Sequence, residues 1–167
     1  MKKLFLFVFM FLVLVSAAGI YTMTRYNIEN LIVCSTNEKA SYIPAFACET
    51  YLYHFRGHGT DLAFMKKRTG LNFLVNVEDP LKRRRLFEFF IGKGMDVNAV
   101  SNIDGLTPLH AAILLNDHEL VHFLLKNGAN KLVRERTNGL TPLEFLGQMD
   151  AQFPGIDRSR LRQALEQ

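Results

Sequence analysis

The residues of this chain most able to do chemistry are its histidines and cysteines, five and two in number. His118 and His122 are four positions apart, as are His54 and His58, and this spacing places two imidazoles on one face of a helix. A zinc site needs three or four ligands, and the sequence places no third ligand beside either pair. We therefore predict neither a metal site nor a cofactor.

Motifs for nucleophilic catalysis and phosphate binding are missing from the sequence. It contains no G-x-S-x-G elbow and no G-x-x-x-x-G-K-[ST] loop. Cys34 and Cys48 form an isolated pair, which commonly becomes a disulfide in an oxidising compartment. Two unpaired buried thiols are the alternative. These observations predict that the protein is not an enzyme.

Residues 1–26 have the composition of an export segment. A basic start, Lys2-Lys3, precedes an apolar run from Leu4 to Val15 and four small residues, which is the layout of a secretory signal. The apolar stretch is also near the shortest that spans a bilayer. A retained anchor, with only residues 4–21 in contact with the membrane, is therefore the alternative. By the positive-inside rule the rest of the chain is exported in both cases.

The net charge of +4 comes mainly from this export segment. Without its three basic residues, 17 basic residues face 16 acidic ones. A nearly neutral folded part gives no reason to predict nucleic-acid binding, which calls for a basic face. The basic run Lys82 to Arg85 is interpreted as the solvated start of a helix, with phosphate or lipid head-group contact as the alternative.

A five-residue motif, Gly105 to Leu109, recurs 34 positions later as Gly139 to Leu143. In the first copy it continues into His110 as T-P-L-H-x-A, where Thr107 suits a helix cap and Pro108 a first helical turn. This motif and period resemble the ankyrin repeat family. The resemblance implies an all-α solenoid of about three helix-turn-helix units with short hairpin loops, in which His110 braces a hairpin.

The chain is thus divided into an export segment (1–26), an N-terminal capping segment (27–69) and the repeats (70–167). In the first repeat, Gly70 to Leu74 replaces the motif and has lost its Thr and Pro. Helices are predicted at Ala45–Phe55, at Asp61–Arg68 after an N-cap at Thr60, from Asp79-Pro80, from Thr107-Pro108, at Glu119–Lys126, and at Asp157–Leu165 with Asp157 as the cap.

The ankyrin resemblance also implies where a partner binds, namely at the hairpin tips and on the concave face of the first helices. Several of the corresponding residues are apolar, as in binding patches, although neighbouring units could instead cover Leu114 and Leu115. The positions are Ile103, Asp104, Leu106, Leu114, Leu115, Arg136, Thr137, Asn138, Leu140 and Gln148.

The layout of export segment, short cap and few repeats resembles that of small bacterial immunity proteins, particularly those against type VI lipase effectors delivered to the periplasm. That resemblance implies an exported protein-binding module, in the periplasm or anchored to the inner membrane, which neutralises a secreted lipase or phospholipase by direct binding. A periplasmic scaffold for a resident enzyme, such as an oxidative-stress protein, is the alternative.

Overall fold

The computed structural model describes residues 2–37 and 42–167, and every regular element within these ranges is a helix. The predicted all-α fold is confirmed. Residue 1 and residues 38–41, which belong to the predicted export and capping segments, lie outside the described ranges. The helices are α1 (Lys2–Arg25), α2 (Ile28–Thr36), α3 (Ala45–Phe55), α4 (Gly59–Lys67), α5 (Asn72–Val75), α6 (Pro80–Gly92), α7 (Pro108–Leu114), α8 (His118–Lys126), α9 (Pro142–Gln152) and α10 (Ser159–Glu166).

The chain divides into two compact units, residues 1–57 and 58–167. The first contains α1, α2 and α3, and the second contains α4 and the helices of the repeats. The three-part division into residues 1–26, 27–69 and 70–167 remains a prediction.

Helix α1 is long and apolar enough to cross a membrane, and none of its most apolar 18-residue window is buried within the protein. Side chains such as Phe5 and Phe7 are therefore exposed all around the helix. A helix that is apolar on every side needs an apolar surrounding. By length and composition α1 suits both a secretory signal and a membrane anchor.

The rest of the first unit is a helical hairpin of α2 and α3. Asn27 caps α2 by accepting a hydrogen bond from the backbone N–H of Asn30 at 2.8 Å. Leu31 and Leu52 are fully buried. A disulfide joins Cys34 to Cys48, with 5.8 Å between their Cα atoms, so that the two helices are linked covalently as well as by packing.

The second unit stacks three helix pairs, α5–α6, α7–α8 and α9–α10. The first helices lie side by side, α5 against α7 and α7 against α9, while α8 packs on α10 in a second layer. Each pair buries its apolar side between the layers, as the solenoid arrangement requires. The largest fully buried side chains here include Phe87, Phe90, Leu109 and Ile113.

The 34-residue period of the sequence recurs in contacts between repeats. The guanidinium of Arg136 donates to Oδ1 of Asn102 at 3.1 Å, across 34 residues. The side-chain amide of Asn72 donates to the carbonyl oxygen of Leu106 at 2.9 Å, again across 34 residues. Equivalent positions of successive repeats thus lie next to each other in the stack.

Two predicted helix caps are wrong. Helix α4 begins at Gly59 with His58 at the cap, so Thr60 is already inside the first turn. Helix α10 begins at Ser159, and the Asp157 carboxylate instead accepts the Ser159 N–H at 2.9 Å in a turn before the helix. Asp often forms such local turns to a backbone N–H two residues ahead, and this competes with capping.

Candidate protein-binding surface

Two hairpins, residues 101–106 and 135–140, precede α7 and α9. Each is closed by an equivalent backbone hydrogen bond of 2.9 Å, from Ser101 to Leu106 and from Glu135 to Leu140. Each also turns through a glycine with positive φ, Gly105 at 74° and Gly139 at 69°, where other residues would be strained. The repeated motif therefore builds the same hairpin twice.

Glu135 fixes the second hairpin from inside. Its carboxylate accepts hydrogen bonds from the backbone N–H groups of Thr137 (2.6 Å), Asn138 (2.7 Å) and Leu140 (3.1 Å). Burial raises the pKa of Glu135, but these hydrogen bonds outweigh it and leave the pKa below its ordinary value. The side chains of Thr137 and Asn138 are exposed on a backbone that Glu135 holds in place.

The two hairpin tips contact each other. The backbone N–H of Arg136 donates to the carbonyl oxygen of Gly105 at 2.8 Å, and a Cβ atom at Gly105 would meet the side chains of Arg136 and Thr137 at 3.3 Å. Ile103 is 64% exposed at the first tip. Asp104 accepts from Asn72 Nδ2 at 3.1 Å, so this predicted binding residue also holds the hairpin to the preceding repeat.

His110 has the bracing role that the ankyrin resemblance implies. It is fully buried, with Nδ1 at 2.7 Å from the Thr107 hydroxyl and Nε2 at 3.0 Å from the carbonyl oxygen of Leu140. Burial lowers its pKa, and this outweighs the opposing effects of the Leu140 hydrogen bond and the Glu135 charge. The neutral imidazole thus accepts from Thr107 at Nδ1 and donates to Leu140 at Nε2.

Leu114 and Leu115 form a separate group at the far end of α7. They are 49% and 51% exposed, so neighbouring repeats do not cover them. Gln148, which occupies the position of Leu114 in the next repeat, is half-buried. The seven residues of α7 separate this group from the hairpin tips by roughly 10 Å. The structure therefore places the predicted binding residues in two groups rather than in one cluster.

Two further apolar side chains belong with Leu114 and Leu115 and are missing from the sequence prediction. Phe153 and Ile156 lie between α9 and α10 and are 50% and 47% exposed. The turns are tied together, because the side-chain amide of Asn116 donates to the carbonyl oxygen of Asp157 at 3.2 Å. We call Leu114, Leu115, Phe153 and Ile156 the turn patch. The sequence did contain a sign of these two residues, because apolar side chains flank Pro154-Gly155 in the segment that connects two helices.

The basic run at the start of α6 is partly structural. Arg83 forms an ion pair with Asp117, the N-cap residue of α8, and its side chain is only 12% exposed. Arg84 lies over the ring of Phe123, 5.5 Å from the centroid. The interpretation of this run as solvated is therefore wrong for Arg83, because the carboxylate that pairs with it comes from the next repeat.

The two histidine pairs are not parts of a metal site among the described residues. Among the described residues, no three His, Cys, Asp or Glu side chains are arranged to hold a metal ion. His118 instead lies 3.3 Å from the guanidinium of Arg160 and 3.8 Å from the carboxylate of Glu119.

Comparison with known proteins identifies relatives of the repeats. A family model described as ankyrin repeats (3 copies) matches residues 80–148. The chain is similar to a putative ankyrin repeat protein of fowlpox virus, with 36% identity over 86 residues. This match covers 51% of the chain but only 25% of the viral protein, so the chain spans about a quarter of that relative's length. No solved structure matches the chain significantly.

Proposed function

We propose that the chain is an exported immunity protein, because residues 80–148 match a family model of ankyrin repeats, which act as protein–protein interaction modules. It neutralises a type VI-secreted lipase or phospholipase in the periplasm by binding it directly. The turn patch carries the proposal, since four large apolar side chains are each about half exposed in two connected turns. Exposed apolar side chains grouped on one surface mark interaction sites.

Export is supported by two features of the first unit. Helix α1 meets the length and apolarity of a signal or anchor, and Cys34 and Cys48 form a disulfide. Disulfides persist in oxidising compartments such as the periplasm. Retention of α1 would hold the protein at the inner membrane, where an enzyme that attacks phospholipids also acts.

The apolar character of the turn patch suits a lipase as partner. An enzyme that works on lipids exposes apolar surface around the entrance to its active site, and this surface binds the patch through the hydrophobic effect. Binding there would block access of lipid without any chemistry by the repeats. The hairpin group with Arg136 and Asn138 adds polar contacts beyond the patch, as the rim of an interface does.

The alternative function is a scaffold for a resident periplasmic enzyme, such as an oxidative-stress protein. The same repeats and the same patch serve both functions, and only the identity of the partner separates them. Affinity purification of the full chain from its native host, followed by mass spectrometry, makes that distinction. Recovery of a lipase encoded beside this chain supports immunity, whereas recovery of a catalase or similar enzyme supports the scaffold.

Substitution in the turn patch tests whether this surface binds the partner. Leu114→Asp combined with Leu115→Asp is expected to abolish recovery of the partner and to leave a purified lipase uninhibited. Leu132→Asp is the matched control, because Leu132 is 77% exposed but lies outside the patch. Undiminished recovery with the double variant would exclude the turn patch as the binding site.

A further inference from the structure

A cationic groove lies between α8, α10 and the chain that follows α8. Its volume is about 720 Å³, within the size range of ligand-binding pockets. It belongs to the second helix layer, whereas the turn patch lies at the connections between layers. Any ligand here would therefore occupy a surface distinct from the one used in the proposed function.

Basic and amide side chains dominate the lining of the groove. Lys126, Lys131 and Arg160 bring three permanent cations, and His118 and His122 bring two imidazoles. None of the described side chains that line it carries a carboxylate. Elsewhere on this unit several arginines pair with carboxylates, as Arg134 does with Glu144 at 2.9 Å, whereas the side chains that line the groove are basic, amide or apolar.

The cationic side chains of the groove make few contacts within the protein, so their positive charge is available to a ligand. Lys131 donates to the carbonyl oxygen of Ala164 at 3.1 Å, which uses one of its three ammonium protons. Arg160 lies 3.3 Å from His118 Nε2. The carboxylates of Glu88 and Glu119 line a neighbouring cavity of which both histidines also form part.

We infer that the groove binds an acidic peptide segment of a partner protein. Its volume is more than twenty times the roughly 30 Å³ that one water occupies in the liquid, so a single inorganic anion would leave most of it empty. Leu125, Ala129 and Ala164 give it an apolar component for small side chains. The amides of Gln163 and Gln167 can both donate to and accept from a peptide backbone.

The charge balance of the protein favours an acidic peptide over nucleic acid. Seventeen basic and sixteen acidic residues follow the export segment, so the folded part has no general attraction for polyanions. Cationic, apolar and amide side chains lie together in this groove, and this combination suits an acidic peptide.

Binding of a fluorescent peptide probe tests this inference. The full chain in non-ionic detergent is titrated with a labelled peptide of alternating Glu and Ala, and anisotropy is measured at low and physiological salt. We expect saturable binding that weakens with salt. Lys126→Gln combined with Arg160→Gln should weaken binding roughly fivefold, since each exposed ion pair contributes about 0.5 kcal/mol.

Two further variants keep the test decisive. Lys66→Gln combined with Lys67→Gln removes the same charge from α4, outside the groove, and should leave affinity unchanged. Gln163→Lys adds a cation at an exposed lining position and should strengthen binding about twofold. Equal losses in both double variants, or no gain with Gln163→Lys, would overturn the site. Equally tight binding of inorganic phosphate or an oligothymidylate would overturn the assignment to an acidic peptide.

Discussion

The imidazole of His110 donates a hydrogen bond from Nε2 to the carbonyl oxygen of Leu140, 3.0 Å away and 30 residues further along the chain. Its other nitrogen accepts from the hydroxyl of Thr107 at 2.7 Å. One buried side chain therefore joins the start of α7 to the hairpin of the next repeat. The neighbouring ring of Phe145, with centroids 5.3 Å apart, completes this junction.

We predict that His110→Ala lowers the free energy of unfolding by about 3 kcal/mol, because it leaves buried hydrogen-bonding groups unpaired. Chemical denaturation of the second unit measures this loss. His122→Ala is the control, since His122 is exposed on α8, and it should change stability by less than about 0.5 kcal/mol. Similar losses for the two variants would contradict a bracing role for His110.

Replacement of His110 should also change how the stability of the protein depends on pH. Burial holds the pKa of His110 below its ordinary value of 6.5, so the native state takes up this proton less readily than the unfolded state. Native stability should therefore fall as the pH decreases below about 6.5. Unfolding midpoints at pH 7.5 and pH 5.5 should differ less in His110→Ala than in the unaltered protein. An unchanged difference would show that His110 does not titrate in this way.

Glu135→Gln should loosen the second hairpin. Both carboxylate oxygens of Glu135 accept backbone N–H groups, whereas Gln presents an NH₂ donor to one of them. We expect a loss of about 2 kcal/mol and faster hydrogen exchange at Thr137 and Asn138. Glu166→Gln, at an exposed position on α10, is the control. Unaltered exchange at the hairpin amides would exclude this role for Glu135.

Reduction of the disulfide between Cys34 and Cys48 should destabilise the first unit by about 3 kcal/mol, because an open chain gains entropy when it unfolds. The bond spans 14 residues and links α2 to α3. Hydrogen exchange with and without reductant would be measured for both units. Protection should fall in α2 and α3 and be unchanged in α7 and α8, while a uniform loss would contradict a stabilising effect confined to the first unit.

Leu114→Asp should leave the fold intact, whereas Ile113→Asp should unfold the second unit. Leu114 is 49% exposed, but its neighbour Ile113 is fully buried, and an unpaired charge in a core is strongly destabilising. We expect a change below about 1 kcal/mol for Leu114→Asp and more than about 4 kcal/mol for Ile113→Asp. Circular dichroism during thermal unfolding measures both. Comparable losses would mean that Leu114 belongs to the core and cannot serve as a free binding residue.

Local signals predicted much of the fold correctly. Helix α3 begins and ends where the aromatic pattern indicates. Thr107 caps α7, as the repeated motif requires. The predicted caps at Thr60 and Asp157 were wrong by two residues and by one residue, which is the range within which helix ends are hard to assign. The sequence around Arg83 could not predict its ion pair, because the partner, Asp117, belongs to the next repeat.

By itself the sequence determined the repeat architecture and the apolar N-terminal helix, because these follow from short motifs and from the spacing of apolar residues. The bracing role of His110 was implied by the resemblance of its motif to ankyrin repeats. Only the tertiary structure decided that Leu114 and Leu115 stay exposed, that their turn is hydrogen-bonded to the connection that carries Phe153 and Ile156, and that the hairpin tips form a separate group. Exposure depends on which distant residues pack against a side chain, and the spacing of residues along one helix does not contain that information.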